Sequence, residues 1–287
     1  MTFVSKKLIP FSLPMKSELE IEKTERFARE IRRIAVTLAH RTNTSHTGGA
    51  LSQADILAVL YDGVLRCSPD RVDDPMRDRF IESKGHNCAS LYAALALKGF
   101  IDLDDLMENY CRNGSQYFEH VSHKLAGVEL STGSLGHGLP VACGMALGAK
   151  RKGRGNRVFC IIGDGELDEG SNWEAIAFAA HHSLDNLCVI LDKNGMQALG
   201  DTADVLSLDP VADKLRSFKW NTVEIDGNDV RQVISAFDSF EACTGRPTFI
   251  VANTVKGKGV SYMEHNLRFH YSAPNEEEYK QAMEELK

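Results

Sequence analysis

The chain has 287 residues, 43% of them hydrophobic, and a formal charge of −7, which is enough apolar material for a sizeable core in a single α/β domain. An acidic balance without a clustered basic face argues against a nucleic-acid partner, and no apolar run reaches membrane-spanning length. Seven scattered cysteines without a C-x-x-C pair read as reduced thiols, not a disulfide framework, so a cytoplasmic protein is expected.

The opening stretch MTFVSKKLIPFSLPM lacks an uninterrupted apolar core and a small-residue cleavage site. Residues 1–16 are therefore expected to form an irregular arm ahead of one domain over 17–287. Ser17-Glu-Leu-Glu20 fits a capping box, and Ile21, Phe27, Ile31, Ile34, Val36 and Leu38 follow at roughly helical spacing. A helix is expected to run to near His40. NTSHTGGALS (43–52) reads as a glycine-rich loop, and Gln53 to Leu65 as a second helix. Ser68 to Asp78 is a proline- and aspartate-rich surface connection. An alanine- and leucine-rich helix follows Lys84-Gly-His86 and ends near Gly99, and another begins within Asp102 to Glu108. From Arg112 to Leu139 glycines and histidines punctuate a long irregular region, which in a compact domain is usually functional.

The later part alternates more regularly. VFCIIG (158–163), LCVILD (187–192), TVEID (222–226) and TFIVANTV (248–255) are strand candidates, with helices expected over 171–182 and from about 229 to 240. Continuous apolar strands alternating with helices predict an α/β fold with a mostly parallel central sheet and helices on both faces.

One turn calls for chemistry. The strand at 158–163 delivers Asp164 between two glycines, with Glu166, Asp168, Glu169 and Glu174 close behind. Ligands of open parallel sheets gather at the carboxyl ends of strands. A helix start, here with a second capping-box match at Ser171-Asn-Trp-Glu174, attracts phosphate, whereas Asp164 repels it. A hard divalent cation reconciles the two. Magnesium suits oxygen ligands and commonly joins a carboxylate to a diphosphate; calcium or manganese are the alternatives. Asn194 falls thirty positions later, at the end of the next strand. If the strands are neighbours, one crossover helix brings both side chains to one edge, with a carbonyl beyond Asn194 as a further donor. Taken singly, Asp-Gly and Asn-Gly are also plain turn formers. Asp226-Gly227, which likewise follows a strand, is assigned no chemistry.

Gly163-Asp-Gly165 through Lys193-Asn194 resembles the diphosphate–magnesium motif of thiamine diphosphate enzymes. With SHTGGALS (45–52), SKGH (83–86), GVELSTGSLGHG (127–138) and VKGKG (255–259), the chain is similar to the amino-terminal half of transketolase over about residues 17 to 270. Three departures stand out: Lys193 for the first of two asparagines, His137 for a glutamine, and EHNLRFHY (264–271) in place of the family's last histidine segment.

The resemblance implies a thiamine diphosphate-binding fold of the diphosphate-binding type. It implies Asp164, Asn194 and the carbonyl of Met196 as magnesium ligands, and Gly165 as a backbone contact for diphosphate. Gly133, Ser134 and Leu135 would line the aminopyrimidine and thiazolium. His46, His86 and His120 would be catalytic, contacting cofactor or sugar hydroxyls. His265 would bind cofactor, with His270 the alternative for that position. Glu169 matches an acidic position used where cofactor sites communicate across subunits. His40, His123, His181 and His182 are expected to be structural or superficial.

In this family the glutamate that acts on the pyrimidine ring belongs to a second domain. It is therefore expected on a separate carboxyl-terminal subunit in an α2β2 assembly; Glu129 is the local alternative. With that partner, the expected reaction transfers a two-carbon ketol unit from a ketose (phosphate) to an aldose (phosphate). A 1-deoxyxylulose-phosphate synthase-like or 2-oxo-acid decarboxylating subunit is a rival, though GELDEGSNWEA resembles transketolase more. A non-catalytic regulatory subunit is another, opposed by intact Asp164, Asn194 and GSLGHG.

Overall fold

In the computed structural model, which describes residues 17–287, helix α1 (Glu18–Thr42) starts at the expected capping box. Ser17 Oγ accepts from Glu20 N, and the Glu20 carboxylate accepts from Ser17 N. The arm expected over 1–16 lies outside the described residues. SHTGGALS is not a loop: α2 covers Thr47–Ser52 and α3 covers Ala54–Val59, passing into a π turn at Leu60–Val64. All residues of α2 are buried, so packing overrides the helix cost of Gly48 and Gly49, about 1 kcal/mol each.

Strand β1 (Arg79–Glu82) follows, then α4 (Cys88–Leu97) and α5 (Leu103–Asn109), the last capped by Asp102. Four residues are too short a run to declare a strand period, and β1 was not among the sequence expectations. The irregular region ends in a further unexpected helix, α6 (Gly138–Arg151). Next come β2 (Val158–Gly163), α7 (Asp164–Leu167), α8 (Gly170–His181) and β3 (Leu187–Lys193). The second capping box does not form; α8 begins after Glu169, and Ser171 Oγ instead donates to Gly136 O at 2.7 Å. A small antiparallel hairpin, β4 (Met196–Gln197) with β5 (Gly200–Asp201), precedes α9 (Thr202–Val205) and α10 (Val211–Ser217). The chain continues through β6 (Asn221–Asp226), α11 (Val230–Ala242), β7 (Thr248–Asn253), α12 (Arg268–Tyr271) and α13 (Glu276–Glu285).

Five strands form one sheet in the order β1-β2-β3-β7-β6, and every pairing is parallel. Successive side chains of a strand point to opposite faces. Phe159, Ile161, Cys188 and Ile190 accordingly pack with α1, α3, α4 and α11, while Val158, Cys160, Val189 and Leu191 pack with α6, α8 and α10. This two-sided burial explains why the central strands read as unbroken apolar runs. The expected fold class is the observed one. All seven cysteines are free. No helix among the described residues is long and apolar enough to cross a membrane.

Candidate functional site

β2 and β3 are neighbours, with Gly163 in register with Asp192. Asp164 and Asn194 therefore leave adjacent strand tips, and Gly195 N donates to Asp164 Oδ2 at 2.8 Å. Both line a cleft of about 350 Å³ that Gly165 and Met196 also border. Burial, and then the nearby Asp192 charge, push Asp164 up to about 7. A carboxyl group so poorly placed to carry a bare charge is one that a cation stabilises. Asn194 Oδ1 accepts from Met196 N at 3.1 Å, so the second tip is a tight turn in which the backbone fixes the amide oxygen, on the same cleft that Asp164 lines. Carboxylate, amide oxygen and a backbone carbonyl make a hard oxygen set, which fits the implied magnesium ion. Among the described residues no group of three or more His, Cys, Asp or Glu is arranged to hold a metal. A cation here would thus depend on Asn194 and a carbonyl.

The acidic cluster divides. Of its five carboxylates only Asp164 and Glu166 line the cleft. Glu166 is buried, accepts from Ser83 Oγ and from Gly136 N, and is pushed up by that burial. Asp168 accepts from Gln197 Nε2 at 2.7 Å, and Glu169 and Glu174 are exposed.

Four histidines meet at the other wall. The His46 ring lies 5.0 Å from those of His86 and His270, and 6.0 Å from that of His120. His46 sits at φ 66° before α2, a left-handed conformation that turns its ring into the cleft. Its Nδ1 is 2.9 Å from Ser45 Oγ. Glu119 is held down at about 2, chiefly by His46 and then by Ser45. Burial lowers His86 well below its usual value, and also lowers His120 and, to about 3, His270. Burial thus favours the neutral form of these three rings, which can both give and take a hydrogen bond. Gly133 is required where it stands, since a Cβ would fall 2.9 Å from His120 Cδ2 and its φ is 156°.

Other expected residues are placed as follows. Gly133 and Leu135 line the cleft, and Ser134 is exposed beside them. His265 does not enter the cleft; it is exposed at φ 52°, and its backbone donates to Lys256 O. His270, one short helical turn later, lines the wall instead, its Nδ1 3.2 Å from Lys256 Nζ. His137 is exposed, with Nδ1 3.0 Å from Leu135 O. Glu129 is tied to Arg77 and borders a different, smaller recess. His40 stacks on Tyr279 away from the cleft.

Two lysines within the motifs quoted above, Lys84 of SKGH and Lys256 of VKGKG, carry no role expected from the sequence. Both are almost fully buried and line the cleft. Lys84 pairs with Asp192, which also accepts from Ser52 Oγ and Thr254 Oγ1. Burial, then Lys84, lowers Lys256 to about 8. An isolated lysine usually marks solvated surface, so only the fold reveals these two as interior cations.

The family model described as "Transketolase, thiamine diphosphate binding domain" matches residues 23–287. The chain belongs to the transketolase family. This transketolase-family chain is 43% identical over 271 residues to an apulose-4-phosphate transketolase subunit of Actinobacillus succinogenes, covering 94% of this chain and 98% of that one. It is 39% identical over 260 residues to the 6-deoxy-6-sulfo-D-fructose transketolase subunit SqwG of Clostridium sp., covering 90% and 94%. The crystal structure of transketolase from Campylobacter jejuni superposes with a TM-score of 0.86 at 30% identity. That match covers 92% of this transketolase-family chain but 43% of the solved one.

Proposed function

We propose that this chain is the diphosphate-binding subunit of a two-chain transketolase, which moves a two-carbon ketol unit from a ketose or ketose phosphate to an aldose or aldose phosphate. The observation that carries the reading is the meeting of Asp164 and Asn194 at adjacent strand tips, beside a cluster of four histidines. Near end-to-end similarity to chains that are themselves named as single subunits of a transketolase supports a separate partner. So does Glu129, the local candidate for the pyrimidine ring, which is occupied by Arg77 outside the cleft. The partner would supply that glutamate, the cofactor would lie between the chains, and two copies of each would assemble in the cytoplasm.

Asp164, Asn194 and the Met196 carbonyl would hold magnesium, and Gly165 would contact diphosphate through its backbone. Gly133, Ser134 and Leu135 would border the rings. When bound, thiamine diphosphate supplies the electron sink for breaking the bond beside a ketose carbonyl. The protein's own part is orientation and proton movement. Neutral His86, His120 and His270 would hold sugar hydroxyls and pass protons, and Glu119 would orient His46 through the Ser45 contacts. Most contacts that select the sugar would come from the partner chain; relatives at 43% and 39% identity carry the names of different sugars.

The test is to assay ketol transfer with this chain, with a carboxyl-terminal transketolase subunit, and with both, in thiamine diphosphate and magnesium. Activity is expected only from the mixture. Full turnover by this chain unaided would refute the two-chain reading.

A further inference from the structure

A side-chain amide buried at the cleft wall has no partner. Asn87 closes the short turn Gly85–Asn87, and its backbone N–H donates to Lys84 O at 3.0 Å. The turn that brings His86 into the cleft therefore brings Asn87 with it. The residue is 1% exposed, yet neither its Oδ1 nor its Nδ2 finds a hydrogen-bond partner among the described residues. Buried polar atoms in native proteins are almost always paired, with protein, ordered water or ligand. Gly49 stands against this amide: a Cβ there would lie 2.6 Å from Asn87 Oδ1 and 2.7 Å from Nδ2. Both residues line the cleft. The missing side chain at 49 is thus what makes room for the amide at 87.

We propose that the Asn87 amide is a ligand-binding group of the cleft, donating through Nδ2–H to a diphosphate oxygen of the cofactor. This rests on the thiamine diphosphate reading above. The surroundings favour that end of the ligand over a sugar. Asn87 is anchored to the Lys84 backbone, and the Lys84 side chain reaches to within 3.6 Å of where a Cβ on Gly163 would stand, next to Asp164. Gly48, adjacent to Gly49, lies against the Lys256 side chain. Both lysines line the cleft with Gly49 and Asn87; Lys84 is already paired with Asp192, whereas Lys256 has no carboxylate partner among the described residues and can attract an oxyanion. The amide adds a directional donor there without adding charge.

Calorimetric titration of thiamine diphosphate with magnesium into the complex of this chain and its partner subunit tests the proposal. Wild type is compared with Asn87→Ala and with Gly49→Ala/Asn87→Ala, whose new methyl refills the space the amide vacates. Thermal unfolding of the unliganded double variant checks that packing is restored. Both variants are expected to bind about tenfold more weakly, the loss of one hydrogen bond to a charged group. The sugar KM at saturating cofactor should stay unchanged. Wild-type affinity in the double variant would overturn the proposal, because the amide would then only fill space. Unchanged cofactor affinity with a raised sugar KM would also overturn it, assigning the amide to substrate. A wild-type complex that binds no thiamine diphosphate overturns the parent reading and this one together; variants that bind like wild type overturn this one alone.

Discussion

The Gly195 amide donates to Asp164 Oδ2 across 2.8 Å, and this contact joins the tips of two parallel strands separated in sequence by a whole crossover helix. It turns two ordinary turn formers into one oxygen-lined corner. The corner is unfavourable for a bare carboxylate, which burial and Asp192 push up to about 7, and that same environment favours a cation.

Asp164→Ala is expected to weaken magnesium-dependent thiamine diphosphate binding by at least about tenfold to a hundredfold, comparable to losses at supporting positions of metal sites. Chelation of divalent cations should do the same to the wild type, with magnesium, manganese or calcium restoring binding. Titration calorimetry reads both. The unliganded fold loses little more than the Gly195 hydrogen bond, about 1 kcal/mol. Cofactor affinity that ignores both the substitution and the chelator would remove the corner from the cofactor site.

Lys84 and Asp192 pair with side chains only 2% and 0% exposed. Removing one member of a buried pair strands the other charge, at a cost of roughly 3–5 kcal/mol. Lys84→Met is therefore expected to lower unfolding free energy by about that much in urea titrations. Lys84→Met/Asp192→Asn should recover most of the loss, since neither charge then remains. A single variant as stable as wild type would show that Ser52 and Thr254 suffice for Asp192.

The central strands were legible because two-sided burial writes itself as unbroken apolar runs: 158–163 is the same in sequence and structure, β3 runs one residue past expectation, and β7 stops at Asn253 where 255 was expected. Asp164 and Asn194 were legible because glycines mark strand tips. What escaped depends on tertiary context. The Thr47–Ser52 helix is glycine-bearing and is held by burial on all sides, which local propensity does not register. Edge strand β1 offers four residues, too few for a pattern. His265 and His270 are equivalent as letters; only the left-handed turn at 265 sends one outward. The orphaned amide of Asn87 becomes visible only when neighbours are known.

Glu82 gives stability a dependence on pH. It is fully buried, its Oε2 accepts from Gln53 Nε2 at 3.0 Å, and burial pushes it from 4.5 up to about 8. The folded state then holds a proton that the unfolded state releases at lower pH, so this group's contribution to stability declines as pH rises from about 4.5 to about 8. Glu82→Gln keeps the shape and removes the titration. Its unfolding free energy relative to wild type should be near constant below that window, rise through it, and level off above it. Urea denaturation at several pH values reads the difference. A difference flat in pH would mean that Lys84 already compensates an ionised Glu82.

The two carboxyl-terminal histidines separate by geometry. His270 stands 5.0 Å from the His46 ring and 3.2 Å from Lys256 Nζ within the cleft wall, whereas His265 is exposed at φ 52°. With the partner subunit present, His270→Ala is expected to lower kcat/KM for ketol transfer by about a hundredfold, the lower range for losing a proton-moving side chain. His265→Asn is the matched control, because asparagine tolerates a positive φ better than alanine, and its kinetics should stay within about twofold of wild type, as for a surface change away from any site. Steady-state kinetics on the two variants decides between them. Loss of turnover in His265→Asn with normal turnover in His270→Ala would reverse the assignment, and would mean that the segment after β7 rearranges when the second chain docks.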